Sequence, residues 1–114
     1  MFKIIHNPRC SKSRQTLALL QEHTDKIEII HYLDGELDEA TLRKFIKGLK
    51  LTPGEILRTK EDEFKALKLD TKNDEKVIKA ILKHPKILER PIVLKGAKAV
   101  IGRPPENVQS LFTK

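Results

Sequence analysis

The single cysteine of the chain is the residue best suited to covalent chemistry. Cys10 follows a short apolar run that Pro8 breaks, and an apolar helical pattern begins directly after it. Cys10 is therefore predicted to lie where a strand ends and a helix begins, and the first N–H groups of a helix attract anions. Arg9, Lys12 and Arg14 add positive charge. Such surroundings lower the pKa of a thiol, so the sequence predicts a nucleophilic Cys10 thiolate.

Spacing separates this interpretation from others. A lone cysteine is often an inert buried residue. A phosphatase-like loop needs an arginine six positions after the cysteine. That position is Thr16, so we exclude a phosphatase-like site. A metal site is not supported, because one cysteine and four scattered histidines show no ligand spacing. Ser13 instead gives a C-x-x-S arrangement, which is typical of redox enzymes that use a single cysteine.

Length, charge and cysteine content limit the class of protein. The 114 residues suit one compact domain, residues 1–114, and one cysteine allows no internal disulfide. We expect a reducing, cytoplasmic location, with no secretory signal and no membrane-spanning segment. The net charge of +7 allows an anionic partner, but the basic residues are spread among 16 acidic ones and aromatic residues make up only 4%. Nucleic acid is therefore not an expected partner.

The N-terminal third of the chain is predicted to form a β-α-β unit. Apolar patterning indicates a strand over residues 2–5, a helix from residue 11 to about 22, and a second strand from residue 27 to about 32. A helical crossover makes the two strands parallel. Cys10 then lies at the carboxyl end of the first strand, where open α/β sheets bind their ligands.

Residues 38–88 are predicted to form a helical insertion. A capping box over residues 52–55 predicts a short helix, and Asn73 can cap a later one. Phe64 and Leu67 indicate one or two further turns of helix. Two longer helices each place four apolar residues on one face, namely Leu42, Phe45, Ile46 and Leu49 in the first and Val77, Ile78, Ile81 and Leu82 in the second.

The C-terminal part is predicted to form a β-hairpin and a final helix. The hairpin strands, residues 92–94 and 99–101, flank a turn at Gly96, and the helix carries Val108 and Leu111 on one face. The complete order of elements, βαβ followed by helices and then ββα, is that of a thioredoxin-like α/β fold. It predicts a mixed four-stranded sheet with a helical insertion.

Four blocks of sequence resemble one known family along the whole chain. They lie at residues 6–14, 55–60, 84–93 and 101–106, and they begin with His-Asn-Pro-Arg-Cys-Ser-Lys-Ser-Arg. In this order they resemble the arsenate reductases that work with glutathione and glutaredoxin, an offshoot of the thioredoxin fold. The resemblance implies that Cys10 is the nucleophile and that three arginines hold arsenate. These arginines are Arg58, Arg90 and Arg103.

The resemblance also assigns roles around the thiol. His6 and Ser13 match residues credited with lowering the pKa of the cysteine, and Arg14 is expected to strengthen the positive field. A cis peptide bond before Pro91 would place Arg90 beside the thiolate. Taken one at a time, each arginine also suits a cation at the end of a helix or strand.

The expected chemistry needs a thiol from outside the chain. Arsenate is an oxyanion with several charged oxygens, and planar guanidinium groups bind paired oxygens better than ammonium groups do. Attack by Cys10 would give a thiol–arsenate adduct. Because the chain has no second cysteine, the next thiol must be external. The resemblance implies glutathione as co-substrate, glutaredoxin as partner, and no bound cofactor.

Two other functions remain open at this point. Transcription regulators that bind RNA polymerase share the fold and much of the motif layout, but they commonly carry C-x-x-C, whereas this chain has Ser13. The other alternative is a glutathione-dependent disulfide reductase that uses a monothiol route. The retained arginines favour arsenate reduction.

Overall fold

A mixed four-stranded sheet forms the centre of the protein in a computed structural model, which describes residues 1–112. Its strands are β1 (Phe2–Ile5), β2 (Ile27–Ile30), β3 (Ile92–Lys95) and β4 (Lys98–Ile101). Across the sheet the order is β2-β1-β3-β4. The β1 and β2 strands are parallel, whereas β3 is antiparallel to both β1 and β4. These pairings confirm the predicted sheet and the thioredoxin-like order of strands.

Helices cover both faces of the sheet. Within residues 1–112 the α-helices are α1 (Ser11–His23), α2 (Glu39–Leu49), α3 (Asp62–Leu67) and α4 (Asp74–Lys83). No helix in this part of the chain is both long enough and apolar enough to cross a bilayer. Short 3₁₀ turns lie at Tyr32–Asp34, Pro53–Ile56, Pro85–Ile87 and Pro105–Leu111.

Side-chain caps begin two of these helices, and the sequence predicts the cap at Asn73. The Asp38 side chain accepts a hydrogen bond from the N–H of Thr41, at 2.7 Å, and begins α2. Asn73 accepts from the N–H of Lys76, at 3.1 Å, and begins α4. Each cap satisfies a backbone donor that the helix itself leaves unpaired, which contributes about 1 kcal/mol.

Two predicted boundaries are wrong. The β2 strand ends at Ile30, because its neighbour β1 ends at Ile5 directly opposite, and Tyr32 begins a 3₁₀ turn instead. The capping box at Thr52 begins a 3₁₀ turn that ends at Ile56, before Leu57 forms a β-bridge with Leu88.

The last predicted helix is a 3₁₀ helix rather than an α-helix. It spans Pro105–Leu111, and polar side chains form hydrogen bonds with carbonyls in and just before it. The amide of Asn107 donates to the carbonyls of Ile101 and Arg103, and Ser110 donates to the carbonyl of Asn107. These local bonds compete with the α-helical pattern.

The sheet separates two hydrophobic clusters. On one face Ile5 and its neighbours pack against α2 and α4, and on the other face Ile4 packs against α1 and the C-terminal 3₁₀ helix. Both isoleucines are fully buried. Burying one such side chain stabilises the fold by about 2 kcal/mol. The alternation of adjacent apolar residues thus fixes which layer lies on which face.

The register of the sheet aligns the ends of all four strands along one edge. Ile30, Ile5, Ile92 and Ile101 form a row across the four strands. The chain segments just beyond this row therefore meet at the same edge, although they are far apart in sequence. Cys10, Tyr32, Arg90 and Arg103 all belong to these segments.

Gly102 fits tightly at this edge and should not tolerate a side chain. A Cβ atom there would lie 2.6 Å from the hydroxyl of Thr16 and 2.9 Å from the ring of Pro91. We expect Gly102→Ala to lower the free energy of unfolding by about 1–3 kcal/mol, because a buried close approach must open. Urea denaturation measures this change. Ala97→Ser is the control, since it also adds one heavy atom but at an exposed turn, and it should change stability by less than about 0.5 kcal/mol. Equal stability of the two variants would contradict the prediction.

Candidate active site

Cys10 is the N-cap residue of α1, as the sequence predicts. Its side chain is partly exposed, so solvent reaches the site. The loop before it is held by its own polar groups. The N–H of Cys10 donates to the carbonyl of Asn7 at 3.0 Å, and the N–H of Arg9 donates to the Asn7 side chain at 3.0 Å. Arg14 donates to the carbonyl of Pro8 at 2.9 Å, so this predicted field residue also fixes the loop.

Two of the three predicted arginines act on the Cys10 sulfur. The Nη2 atom of Arg103 lies 3.4 Å from Sγ and donates to it, and the Arg103 Nε donates to the carbonyl of Arg90 at 2.7 Å. The positive charge of Arg90 also acts on Cys10. The peptide bond between Arg90 and Pro91 is cis, as the resemblance implies, and the bond between Arg103 and Pro104 is cis as well.

The guanidinium of Arg90 carries unused donors. Its Nε and Nη1 atoms are buried, and neither has a hydrogen-bond partner among residues 1–112. A buried donor without a partner costs about 1–3 kcal/mol, and more when it is charged. Such a group is suited to an anionic ligand, which would supply the missing acceptors.

The electrostatic surroundings favour the thiolate. Burial raises the pKa of the Cys10 thiol, but the backbone N–H of Ser13, the charges of Arg90 and Arg103, and the N–H of Lys12 together outweigh it. The pKa therefore lies below its ordinary value. Although the sulfur forms no capping hydrogen bond within the described part of the chain, these two N–H groups act through their dipoles at the positive end of the helix.

His6 and Ser13 form a buried pair behind the cysteine. The Ser13 hydroxyl lies 2.7 Å from Nδ1 of His6, and it accepts from the N–H of Asn7 at 3.0 Å. Burial, the nearby His31 and the charge of Arg14 all lower the pKa of His6. The lowered pKa favours a neutral imidazole at His6. The tuning roles of His6, Ser13 and Arg14 stay predictions.

The third arginine, Arg58, lines a polar cavity that Arg103 also lines. Arg58 forms an ion pair with Glu61, at 2.9 Å, and lines a polar cavity of about 460 Å³ together with Arg103 and Glu89. The N–H of Arg58 donates to the carbonyl of Ile87 at 2.7 Å, which ties its segment to the chain before Arg90. The structure thus places Arg58 beside Arg103, and the role of all three arginines in binding arsenate stays a prediction.

Tyr32 is a site residue that the sequence reasoning missed. It is only 2% exposed. Burial raises the pKa of its phenol, the charges of Arg90 and Arg58 oppose that rise, and Cys10 adds to it. Tyr32 thus shares the surroundings of the thiol and two arginines. Its position after the second parallel strand was the available signal, because ligands bind at the carboxyl ends of such strands.

The residues around Cys10 do not form a metal centre. Within residues 1–112 no group of three or more His, Cys, Asp or Glu side chains could hold a metal ion. The site consists instead of a thiol with a lowered pKa near Arg90 and Arg103, and Arg103 also lines the polar cavity.

Comparison with known proteins assigns the chain to a family. The ArsC family model matches residues 5–111, which include the thiol, the three arginines and the sheet edge that joins them. The chain belongs to the ArsC family. This assignment agrees with the resemblance that the four sequence blocks indicate.

Individual relatives align with almost the whole length of this ArsC family member. An arsenate reductase of Neisseria meningitidis serogroup A is 44% identical over 96% of this chain and 97% of its own. The uncharacterized protein YfgD of Escherichia coli is 49% identical over 93% of this chain and 92% of its own. Among solved structures, an arsenate reductase from Vibrio cholerae has a TM-score of 0.85 and 37% identity, and the alignment covers 96% of this chain and 95% of that one.

Stability should fall when His6 takes up a proton. Its pKa in the folded protein lies below the ordinary value of 6.5, so the unfolded chain is protonated at higher pH than the folded one. The folded state therefore loses stability as the pH falls below about 6.5 and through the folded pKa. We expect urea denaturation between pH 7.5 and 5 to show this loss, and His6→Asn to show less of it.

A second histidine variant separates this effect from general ones. His84 lies far along the chain, with its Nδ1 atom 3.6 Å from Oε2 of Glu63, and His84→Asn should retain the loss of stability that comes from His6. Carboxylates contribute at lower pH, because Glu75, whose pKa is lowered, has an ordinary value of 4.5. An unchanged pH dependence in His6→Asn would contradict the assignment to His6.

Proposed function

We propose that this protein reduces arsenate to arsenite with Cys10 as the nucleophile. The observation that carries the proposal is the pairing of a thiol and guanidinium groups. Arg103 donates to the Cys10 sulfur at 3.4 Å, and Arg90 acts on the same sulfur while two of its buried donors lack partners among the described residues. The arsenate reductases among the relatives support the choice of substrate.

The positive charges of the site suit the attack of a thiolate on an oxyanion. A thiolate and arsenate repel each other, and the charges of Arg90 and Arg103 offset that repulsion. Arg58 lies in the cavity that adjoins Arg103 and can bind a further oxygen after it leaves Glu61. Fixed guanidinium groups also stabilise negative charge that develops on the departing oxygen.

The proposed reaction is a two-electron reduction by two thiols. The Cys10 sulfur forms a bond to arsenic, and one arsenate oxygen leaves as water after protonation. An external thiol then replaces a second oxygen in the same way. Both electrons of reduction come from the two sulfur atoms, so arsenic passes from +5 to +3. One water molecule adds to arsenic as arsenite leaves, and the sulfurs remain as a mixed disulfide. A further thiol reduces that disulfide and restores Cys10.

Glutathione and glutaredoxin are the proposed donors, in a reducing cytoplasm. The chain has one cysteine, and Ser13 occupies the position of a second thiol in a C-x-x-C arrangement. A mixed disulfide with glutathione cannot therefore be resolved from within the chain. Glutaredoxin acts on such mixed disulfides, which makes it a suitable partner for the last step.

Activity should depend on Cys10 and Arg90. In an assay with arsenate, glutathione and glutaredoxin, we expect arsenite from the parent protein and none above background from Cys10→Ser. Arg90→Ala should lower kcat/KM by about 10²–10³, the usual loss when a donor that stabilises developing charge is removed. Arg43→Ala is the matched control, because Arg43 pairs with Glu39 and Glu75 on the surface. No arsenite from the parent protein would reject the proposed function.

The donor can be tested with the same protein. We expect arsenite to form with glutathione and glutaredoxin together, and little to form when thioredoxin and its reductase replace them. When glutaredoxin is left out, mass spectrometry of the protein after reaction with arsenate and glutathione should show a single glutathione on Cys10. Turnover by thioredoxin alone, without this adduct, would mean that the donor is wrong while the reductase activity stands.

A further inference from the structure

The guanidinium of Arg103 makes contacts through Nε as well as through Nη2. While Nη2 faces Cys10 at 3.4 Å, Nε donates to the carbonyl of Arg90 at 2.7 Å and lies 3.2 Å from Oε1 of Glu89. A long arginine side chain has several rotatable bonds, and ordering them costs up to about 2 kcal/mol. Contacts at Nε therefore determine where Nη2 points.

Glu89 is itself held in place. Its Oε1 accepts from the N–H of Arg90 at 3.2 Å, and its own N–H donates to the carbonyl of Ile56 at 2.8 Å. The side chains of Glu89 and Arg103 are 28% and 36% exposed, so the pair is less exposed than the Arg43 pairs on the surface. One carboxylate oxygen thus links the backbone of Arg90 with the guanidinium of Arg103.

We propose that Glu89 is a positioning residue that holds Arg103 against the Cys10 sulfur. It acts on the thiol through Arg103, whose Nε contacts Glu89 and whose Nη2 contacts the sulfur. The inference rests on the proposed role of Cys10 as nucleophile, but it can be tested without arsenate or any electron donor. It extends the site by an acidic residue that neither the thiol motif nor the arginines indicate.

The negative charge of Glu89 and its positioning of Arg103 predict changes of opposite sign in the pKa of Cys10. If Glu89 acted only through its negative charge, it would disfavour the nearby thiolate, and its removal would lower the pKa of Cys10. If it positions Arg103, its removal lets the guanidinium leave the sulfur and raises that pKa. The sign of the change therefore distinguishes the two effects.

The cavity contains a matched carboxylate for comparison. Glu61 pairs with Arg58 at 2.9 Å, with a side-chain exposure of 31%, similar to that of Glu89. Arg58 is not among the groups that lower the pKa of Cys10, whereas Arg103 is. Glu61→Gln therefore removes the same charge from the same cavity without releasing Arg103.

The test is a titration of the Cys10 thiolate by its absorbance near 240 nm. The chain has one cysteine, and a Cys10→Ser blank at each pH removes the contribution of its one tyrosine. We expect Glu89→Ala to raise the pKa by about half a unit or more. Glu89→Gln, which keeps an oxygen acceptor, should raise it less, and Glu61→Gln should not raise it.

A double variant completes the test. Glu89→Ala should add little to Arg103→Ala, because both changes remove the same contact. Circular dichroism and urea denaturation of every variant establish that it is folded under the titration conditions, and Glu89→Gln provides the result if Glu89→Ala does not fold. A lowered pKa in either Glu89 variant, or full additivity with Arg103→Ala, would overturn the proposal. Loss of arsenate reduction would leave this titration unaffected, so the two hypotheses fail separately.

Discussion

The attraction between one sulfur and the guanidinium groups around it is the interaction on which the site depends. Burial disfavours the Cys10 thiolate, and without compensation it would keep the thiol protonated. Arg90, Arg103 and the first N–H groups of α1 reverse that preference. Because the sulfur is only partly buried, it stays reachable while the charges act through surroundings less polar than bulk water.

The sheet brings these groups together. The β3 strand lies between β1 and β4, so the end of β1, the start of β3 and the end of β4 meet at one edge. Cys10, Arg90 and Arg103 follow or precede those strand ends. The bridge between Leu57 and Leu88 then ties the segment of Arg58 to the same region. The rigidity of the sheet thus holds these three side chains near one another, although they are far apart in sequence.

The site contains features that stability alone would not favour. Two buried donors of Arg90 lack partners within residues 1–112, and like charges gather around one thiol. Carboxylates moderate this accumulation, since Glu61 pairs with Arg58 and Glu89 with Arg103. In the proposed function an oxyanion would supply acceptors for these donors, and its binding would stabilise the folded state.

Local sequence determined the elements, and tertiary structure determined how the site is assembled from them. Pro8 and the apolar spacing after it were sufficient to place Cys10 at a helix N-terminus, and the Asn73 cap located α4, because such signals act within a few residues. The 3₁₀ geometry at Pro105–Leu111 and the early end of β2 depended on side-chain bonds and on the length of a neighbouring strand. Only the folded structure shows that Tyr32 lies near the thiol and that Glu89 forms an ion pair with Arg103. A local sequence pattern cannot encode such a contact, because the register of the strands brings together side chains that are far apart in the chain.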